Sequence, residues 1–217
     1  MQKSLKEIYI IGAGDFGREI ADTILEINSI DTTYAIAGFI DDDKELSGSI
    51  VNDIEVIGDE GFLKDLCIKS DEKPYAIIAI ADPVIKERIV KSLDDIVQWE
   101  NIIHPLAVIK NSAKIGHGNV IQHFSSINSN ACIGDHCLIN SNTVIGHDVK
   151  LGDYSSLMHQ VGIMGDCIVG EKSFLGAGAK TLPRITIGNG AVIGAGAIVT
   201  KNVEAGKTMA GNPAREI

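Results

Sequence analysis

The stretch that decides the fold lies in the second half of the chain. Residues 127–157 read INSNACIGDHCLINSNTVIGHDVKLGDYSSL. An isoleucine or leucine recurs there at every sixth position, and the count continues in both directions from Ile103 to Val199. Sixteen of these seventeen positions are aliphatic, and only Thr181 departs from the series. Glycine follows the aliphatic residue in eight repeats, and a mostly small residue precedes it by two positions.

A strict period of six fits neither an α-helix nor a flat strand. It fits a coil with short straight faces, in which each hexapeptide forms one face and one corner. Three hexapeptides then make a triangular turn of eighteen residues, with the aliphatic side chain pointing inward and glycine supplying the corner backbone. The repeat therefore predicts a parallel β-helix of roughly five to six turns. We expect a distorted turn at Thr181, beside Pro183.

The first hundred residues predict a different architecture. Strand-like apolar runs at 7–11, 34–40 and 75–80 alternate with helix-like segments at 18–27, 61–66 and 83–93, which favours a small Rossmann-like parallel sheet. Charge also changes near residue 100. Residues 1–100 hold 10 Lys and Arg against 22 Asp and Glu, whereas residues 101–217 hold 9 against 7. We predict one domain at 1–100 and a second at 101–217.

Composition narrows the classes of protein. The chain has 217 residues, is 45% hydrophobic and carries a formal net charge of −10. This charge argues against nucleic acid as the main partner, because phosphate binding needs a basic face. No apolar run is long enough to span a membrane, and the N-terminus lacks the pattern of a signal peptide. The four cysteines have no metal-binding spacing, so we expect a cytoplasmic protein with reduced thiols.

Several motifs point to one family. The pattern [LIV]-G-x-x-[STAV]-x is similar to the repeat of the left-handed β-helix acyltransferases. IGAGDFG at 11–17, GFIDDD at 38–43, IIHP at 102–105 and GNPAR at 211–215 together resemble the NeuD/PglD-type bacterial sugar acetyltransferases. The resemblance implies a left-handed coil, a homotrimer, and acetyl-CoA as co-substrate. It also implies acylation of an amino or hydroxyl group of a sugar, often a nucleotide-linked 4-amino sugar.

Acetyl transfer from a thioester to an amine needs a base and a donor for the oxyanion. His147 falls two residues after an inward aliphatic, at a corner where side chains leave the coil, and Asp148 follows it. The resemblance implies that His147 is the general base and that Asp148 supports its charged form. It also implies that the Gly165 N–H, one turn further on the same corner, faces the thioester carbonyl. The alternative is a solvated corner histidine paired with a surface aspartate.

Another corner carries the residues that the resemblance assigns to acetyl-CoA. Members of the family commonly have histidine where this chain has Ser156, so either Ser156 keeps a weaker contact or His159 replaces it. Ala177 and Ala195 match positions that line the pantetheine arm, although small corner residues are also ordinary in such a coil. His123 and His159 lie two turns apart without a convincing third ligand, so no metal is expected.

The glycine loop at 12–17 follows a strand and precedes a helix, an arrangement typical of phosphate binding. A dinucleotide is the usual interpretation, with an acidic residue on the ribose. However, about 100 residues leave no second mononucleotide-binding half and no dehydrogenase domain. The resemblance implies a nucleotide-sugar instead. We expect Gly14, Asp15 and Phe16 to contact the diphosphate and sugar. We expect Asp41 and Asp42 to contact the nucleobase.

The sequence thus predicts an acetyl-CoA-dependent acetyltransferase for the amino group of a nucleotide-linked amino sugar. One alternative is O-acetylation of a sialic acid or another sugar. Two alternatives come from other classes of protein: a non-catalytic nucleotide-binding assembly module, and a nicotinamide-binding regulator inferred from the glycine loop.

Overall fold

The computed structural model describes residues 5–69 and 73–217. Their packing divides the chain into two compact units. The first comprises the described residues up to Ala81 together with Ile85–His104, and the second comprises Asp82–Val84 together with Pro105–Ile217. Within the described residues, every helix is too short or too polar to cross a membrane.

The first hundred residues form a mostly parallel sheet with intervening helices. In chain order, the elements are β1 (Lys6–Ile11), α1 (Asp15–Ile30), β2 (Tyr34–Ile40), β3 (Ile50–Val51), β4 (Ile54–Gly58), α2 (Glu60–Lys69), β5 (Tyr75–Ile78), α3 (Pro83–Leu93) and β6 (Gln98–Trp99). The short strand β7 (Ile102–Ile103) follows and is not part of this sheet. The order across the sheet is β3-β4-β2-β1-β5-β6, and only β3 and β4 are antiparallel. The Rossmann-like alternation predicted from the sequence is confirmed.

The hairpin of β3 and β4 was not predicted from the sequence. Asn52 and Asp53 join these strands, and both have positive φ, 46° and 63°. Two such residues form the type I′ turn whose twist matches a two-residue hairpin, and Asn and Asp tolerate it best. An Asn-Asp pair between two short apolar runs was therefore a usable signal.

The strand order reverses at β1, which positions a crevice. Strand β2 pairs with one side of β1 and β5 with the other. The glycine loop leaves the carboxyl end of β1 at this reversal, where open α/β sheets bind their ligands. The sheet beneath it is apolar, with Ile8, Ile10 and Phe39 fully buried.

From Val108 onward, two-residue strands recur every six residues. Up to Lys180–Thr181, each pairs in parallel with the strand eighteen residues later, as Ser126 with Val144 and Ile127 with Ile145. The aliphatic series from Ile121 to Val199 is at least 95% buried throughout. Three parallel sheets stacked in this register form a β-helix, as the repeat predicts.

The three sheets of the coil contain the following strands. The first has Val120–Ile121, Leu138–Ile139, Ser156–Leu157, Phe174–Leu175, Val192–Ile193 and Thr208–Ala210, with Arg215–Glu216 antiparallel at its end. The second has Val108–Ile109, Ser126–Ile127, Val144–Ile145, Gly162–Ile163, Lys180–Thr181 and Ile198–Val199. The third has Lys114–Ile115, Cys132–Ile133, Lys150–Leu151, Ile168–Val169 and Thr186–Ile187.

The small residues beside the aliphatic series form hydrogen bonds inside the coil. Their hydroxyl or thiol groups donate to a corner carbonyl fifteen residues later, which explains why many of these positions hold Ser, Thr or Cys. The pairs are Ser125 to Asn140 (2.9 Å), Cys137 to Gly152 (3.3 Å), Thr143 to Met158 (3.0 Å), Ser155 to Gly170 (3.0 Å) and Cys167 to Leu182 (3.2 Å).

We expect Thr143→Val to lower the free energy of unfolding by about 1–3 kcal/mol, because it leaves the Met158 carbonyl without its hydroxyl donor. Thr143 is fully buried, and valine keeps its shape. Chemical denaturation of wild type and variant measures the loss. Thr186→Val is the matched control, because Thr186 lies exposed on a strand and should change stability by less than about 0.5 kcal/mol. Equal losses in the two variants would contradict this role for the internal hydroxyls.

The turn after Thr181 is not distorted, so that prediction is wrong. Arg184 has a φ of 62°, close to the 58° and 59° of Asp148 and Asp166, which precede it on the same corner by two turns and by one. Instead, Thr181 is buried and its hydroxyl accepts the Met164 N–H at 3.0 Å. The threonine hydroxyl accepts a hydrogen bond from a neighbouring amide, which an aliphatic side chain cannot do. The break in the aliphatic series therefore changes one hydrogen bond and leaves the turn regular.

Candidate active site

His147 and Asp148 form a hydrogen-bonded pair on one corner of the coil. His147 Nδ1 lies 2.9 Å from Asp148 Oδ2, and both side chains are partly exposed. An ionised carboxylate only accepts hydrogen bonds, so Nδ1 carries the proton and Nε2 is left as the acceptor. This is the tautomer that a general base requires.

Gly165 lies directly against the His147 ring. A Cβ atom placed on Gly165 would be 2.4 Å from His147 Nε2, so only glycine allows the ring to occupy this position. The stacking follows the eighteen-residue period, since Asp166 N–H donates to the His147 carbonyl at 3.0 Å. The structure therefore brings His147, Asp148 and Gly165 together at one corner.

The Gly165 N–H is open. Within residues 5–69 and 73–217 it donates no hydrogen bond, whereas the equivalent amides of His117 and Asp135 donate to a carboxylate of the next coil at 2.7 and 2.8 Å. The residue above Gly165 is Pro183, which has no acceptor side chain. An unpaired amide beside Nε2 provides a donor for a developing oxyanion.

The Asp148 carboxylate is held in its charged form. Hydrogen bonds from His147 and then from Asn130 lower its pKa below the usual value of an aspartate. Because the folded-state pKa of Asp148 is lowered, these bonds stabilise the folded chain fully above the ordinary aspartate pKa. This stabilisation is lost as the pH falls through the lowered pKa. The carboxylate therefore remains available to His147 at neutral pH.

Two further residues of this corner, Asn130 and Asp166, were not predicted from the sequence. They lie eighteen residues before and after Asp148, so the period could have identified them. Asn130 Nδ2 donates to Asp148 Oδ1 at 3.1 Å. Ligand atoms of Asp166, Asp148 and His147 lie within 4.8 Å of one another, all on exposed side chains.

The residues predicted to contact acetyl-CoA divide between two environments. His159, Ala177 and Ala195 are exposed on another corner, stacked by hydrogen bonds from Gly178 and Gly196 to the carbonyls of His159 and Ala177 (both 2.8 Å). Ser156 is fully buried within the strand Ser156–Leu157. Within one chain, this corner is a different edge of the coil from that of His147. The contacts predicted for these four residues remain predictions.

The structure shows why two of the three glycines in the loop after β1 are needed. Gly12 has a φ of +107°, which favours glycine. A Cβ on Gly17 would be 2.1 Å from the Gly12 carbonyl oxygen, so α1 approaches the loop closely. Gly14 precedes α1 as its N-cap and has open space where a Cβ would lie. The first-turn amides of α1 can therefore meet an anion there.

The two aspartates after β2 have different surroundings. Asp41 accepts the Ala13 N–H at 2.8 Å and the Asp43 N–H at 3.0 Å, so its carboxylate shapes the glycine loop. Asp42 is exposed and lies 3.4 Å from Arg88. Both aspartates line a cavity of about 140 Å³, together with Ile11, Gly12, Glu60, Ile80, Arg88 and Ile89.

That cavity is smaller than the roughly 300–1,000 Å³ of a typical ligand site, so it would enclose only part of a nucleotide. Of the other predicted contacts, Asp15 is exposed and forms an ion pair with Arg18, and Phe16 is half-buried at the start of α1. Asp15 and Phe16 do not line the cavity.

Known protein families match segments in both halves of the chain. The PglD N-terminal domain family matches residues 7–93, and the bacterial transferase hexapeptide (six repeats) family matches residues 166–201. The GDP-perosamine N-acetyltransferase of Escherichia coli O157:H7 is 36% identical over 121 residues, which are 53% of this chain and 50% of that protein. The alignment thus spans about half the length of this curated relative.

Solved structures match along the full chain. A histidine-to-asparagine mutant of perosamine N-acetyltransferase from Caulobacter crescentus, in complex with CoA and GDP-perosamine, is 27% identical with a TM-score of 0.89, covering 99% of this chain and 98% of that one. WeeI from Acinetobacter baumannii AYE is 30% identical with a TM-score of 0.86, covering 98% and 100%.

The Rossmann-like sheet, the hexapeptide coil and the His-Asp corner occur together in one chain, and relatives match it from end to end. The chain therefore belongs to the NeuD/PglD-type bacterial sugar acetyltransferases, whose hexapeptide repeats form a left-handed β-helix.

Proposed function

We propose that this chain transfers the acetyl group of acetyl-CoA to the amino group of a nucleotide-linked amino sugar. The observation that carries the proposal is the His147 corner, where a base oriented by Asp148 lies against an open Gly165 amide. The complex of the matching Caulobacter crescentus enzyme with CoA and GDP-perosamine supports the same chemistry and makes GDP-linked 4-amino sugars the first candidates.

In the proposed mechanism, the neutral sugar amine attacks the thioester carbonyl carbon. His147 Nε2 accepts the amine proton as the C–N bond forms, and Asp148 stabilises the resulting imidazolium. The Gly165 N–H donates to the oxyanion. When the C–S bond breaks, the imidazolium returns the proton to the CoA thiolate. The products are the N-acetylated sugar and CoA, and the base is regenerated.

We propose a homotrimer, because the residues expected to act together lie on separate edges of one coil. His147 and Gly165 share one corner, and His159, Ala177 and Ala195 share another. In a cyclic assembly of parallel coils, one edge of a subunit can face a different edge of its neighbour. A complete site would then combine the base of one subunit with the acetyl-CoA-binding edge of the next.

We propose that the sheet domain, residues 1–100, holds the nucleotide and that the coil, residues 101–217, carries the chemistry. The open α1 N-terminus at Gly14 and Asp15 suits the diphosphate. Asp42, which is exposed beside Arg88, suits a nucleobase, and Asp41 keeps the loop in shape. Phe16 supplies an apolar surface beside the sugar.

The test is thiol release from acetyl-CoA, followed with a chromogenic disulfide. The panel contains GDP-perosamine, UDP- and dTDP-linked 4-amino sugars, free sialic acid, and a GDP sugar with a hydroxyl in place of the amine. We expect turnover with one amino sugar nucleotide and at least about 100-fold lower kcat/KM for its hydroxyl counterpart.

Three results would overturn the proposal. Turnover with sialic acid alone would assign O-acetylation, and equal turnover of the amine and its hydroxyl counterpart would remove the preference for nitrogen. No turnover with any member would reject the proposed substrate class. Mass spectrometry counts the acetyl groups added to the sugar nucleotide. NMR of the product then identifies which group was acylated.

A further inference from the structure

Asn130 is tied to the catalytic corner by a hydrogen bond that the proposed mechanism does not use. Its Nδ2 lies 3.1 Å from Asp148 Oδ1, while Asp148 Oδ2 lies 2.9 Å from His147 Nδ1. Each carboxylate oxygen therefore has its own donor. Because an ionised carboxylate only accepts hydrogen bonds, the Asn130 atom that faces it is the amide nitrogen.

Asn130 is itself fixed in place. Its backbone N–H donates to Ser112 Oγ at 3.1 Å, one coil earlier. Its φ is 60°, in the left-handed region that asparagine tolerates better than most residues. A line of hydrogen bonds thus runs from Ser112 through Asn130 and Asp148 to the His147 ring, across three successive coils.

The bond matters because Asp148 is otherwise loosely held. Its side chain is 47% exposed, and that of His147 is 62% exposed. An exposed carboxylate with a single partner rotates easily, and a rotated Asp148 would release Nδ1 and let the ring turn. Two titratable groups lie close to this carboxylate, His147 and Asp166. Neither restrains Oδ1 in the way that the Asn130 amide does.

We propose that Asn130 is a positioning residue for the acetyl transfer. By holding Oδ1, it keeps Oδ2 on Nδ1 of His147, so that Nε2 remains directed at the substrate amine. The inference rests on the proposed function, because it assumes that His147 is the base. It adds a residue that acts on the base through Asp148 and touches no substrate.

Two variants test the inference without straining the backbone. Asn130→Gly removes the amide and keeps a residue that accepts positive φ. Asn130→Asp keeps the shape and places a carboxylate against Asp148. The matched controls are Asn52→Gly and Asn52→Asp, because Asn52 is also exposed, has a φ of 46° and lies in the turn between β3 and β4, outside the coil.

Two measurements are made on each variant. The first is kcat and KM for acetyl-CoA and the amino sugar nucleotide. The second is the pKa of the Asp148 carboxyl, from a ¹³C NMR titration that requires no turnover. For Asn130→Gly we expect kcat to fall about tenfold with little change in either KM, because orientation is lost and binding is not.

The pKa of Asp148 should rise in Asn130→Gly, since a donor to the charged form is gone, and rise further in Asn130→Asp, where a like charge is added. The Asn52 variants should match wild type in both measurements.

The inference and the proposed function fail differently. A wild-type chain that turns over no substrate of the panel rejects the proposed function. The inference is rejected if Asn130→Gly keeps the wild-type kcat, or if the pKa of Asp148 is the same in Asn130→Gly as in wild type. It is also rejected if the Asn52 variants lose as much activity as the Asn130 variants, because the effect would then belong to any exposed asparagine with a left-handed backbone.

Discussion

Replacing His147 by asparagine is expected to lower kcat/KM for the amino sugar nucleotide by at least about 100-fold, the lower end of the contribution of a general base. Asparagine still reaches Asp148 but accepts no proton at the position of Nε2. The attacking amine must then lose its proton to water. Because the ring is 62% exposed, the fold should tolerate the change. Steady-state kinetics across pH measures both the loss and the disappearance of the acid limb that reports the base.

His117→Asn is the matched control for this experiment. His117 is also an exposed histidine two residues after an inward aliphatic, on a corner without Asp148 or Gly165. We expect its kcat/KM to stay within about twofold of wild type, as for most surface substitutions. If His147→Asn retained wild-type activity and the same pH profile, His147 would not be the base.

The coil could be predicted from the sequence because its signal is periodic. Each inward residue from Ile121 to Val199 occupies a buried position fixed by the period of six, and its partner in the next coil is fixed by the period of eighteen. The same arithmetic placed Gly165 beside His147. Applied to Asp148, it would also have identified Asn130 and Asp166. The spacing therefore contains the whole corner, including the two residues that were not predicted.

Other features depend on atoms that periodicity does not describe. Thr181 breaks the aliphatic series, but its hydroxyl accepts the Met164 N–H, and the turn keeps its shape. Ser156, which the family resemblance assigns to acetyl-CoA, lies at a strand position whose side chain is completely buried within one chain, and its contact stays a prediction. Asp41, expected at the nucleobase, uses both carboxylate oxygens on backbone amides. Such outcomes follow from local competition for hydrogen bonds, which a pattern of residue types does not resolve.

The second large effect is expected for Gly165→Ala, which should lower kcat/KM by about 100-fold or more. The added methyl would lie 2.4 Å from His147 Nε2 and 2.6 Å from Cε1, so the ring must swing into solvent and leave both Asp148 and the open amide. Gly165 does not have a left-handed φ, so alanine meets no backbone obstacle and the coil should stay folded. The loss would therefore come from geometry at the site, with a melting temperature close to that of wild type.

Gly162→Ala separates this effect from a general intolerance of side chains in the same coil. A Cβ there would meet only the flexible atoms Lys180 Cγ at 3.3 Å and Met164 Cε at 3.4 Å, so we expect activity within about threefold of wild type. Kinetics, thermal unfolding and an NMR titration of the His147 ring on both variants complete the test. If Gly165→Ala kept wild-type kcat/KM, transfer would not require the ring to lie over residue 165, and the oxyanion donor would have to be sought elsewhere. If it lost activity with an unchanged melting temperature while Gly162→Ala retained it, the close contact between a glycine and a histidine one coil apart would account for the catalytic geometry of this corner.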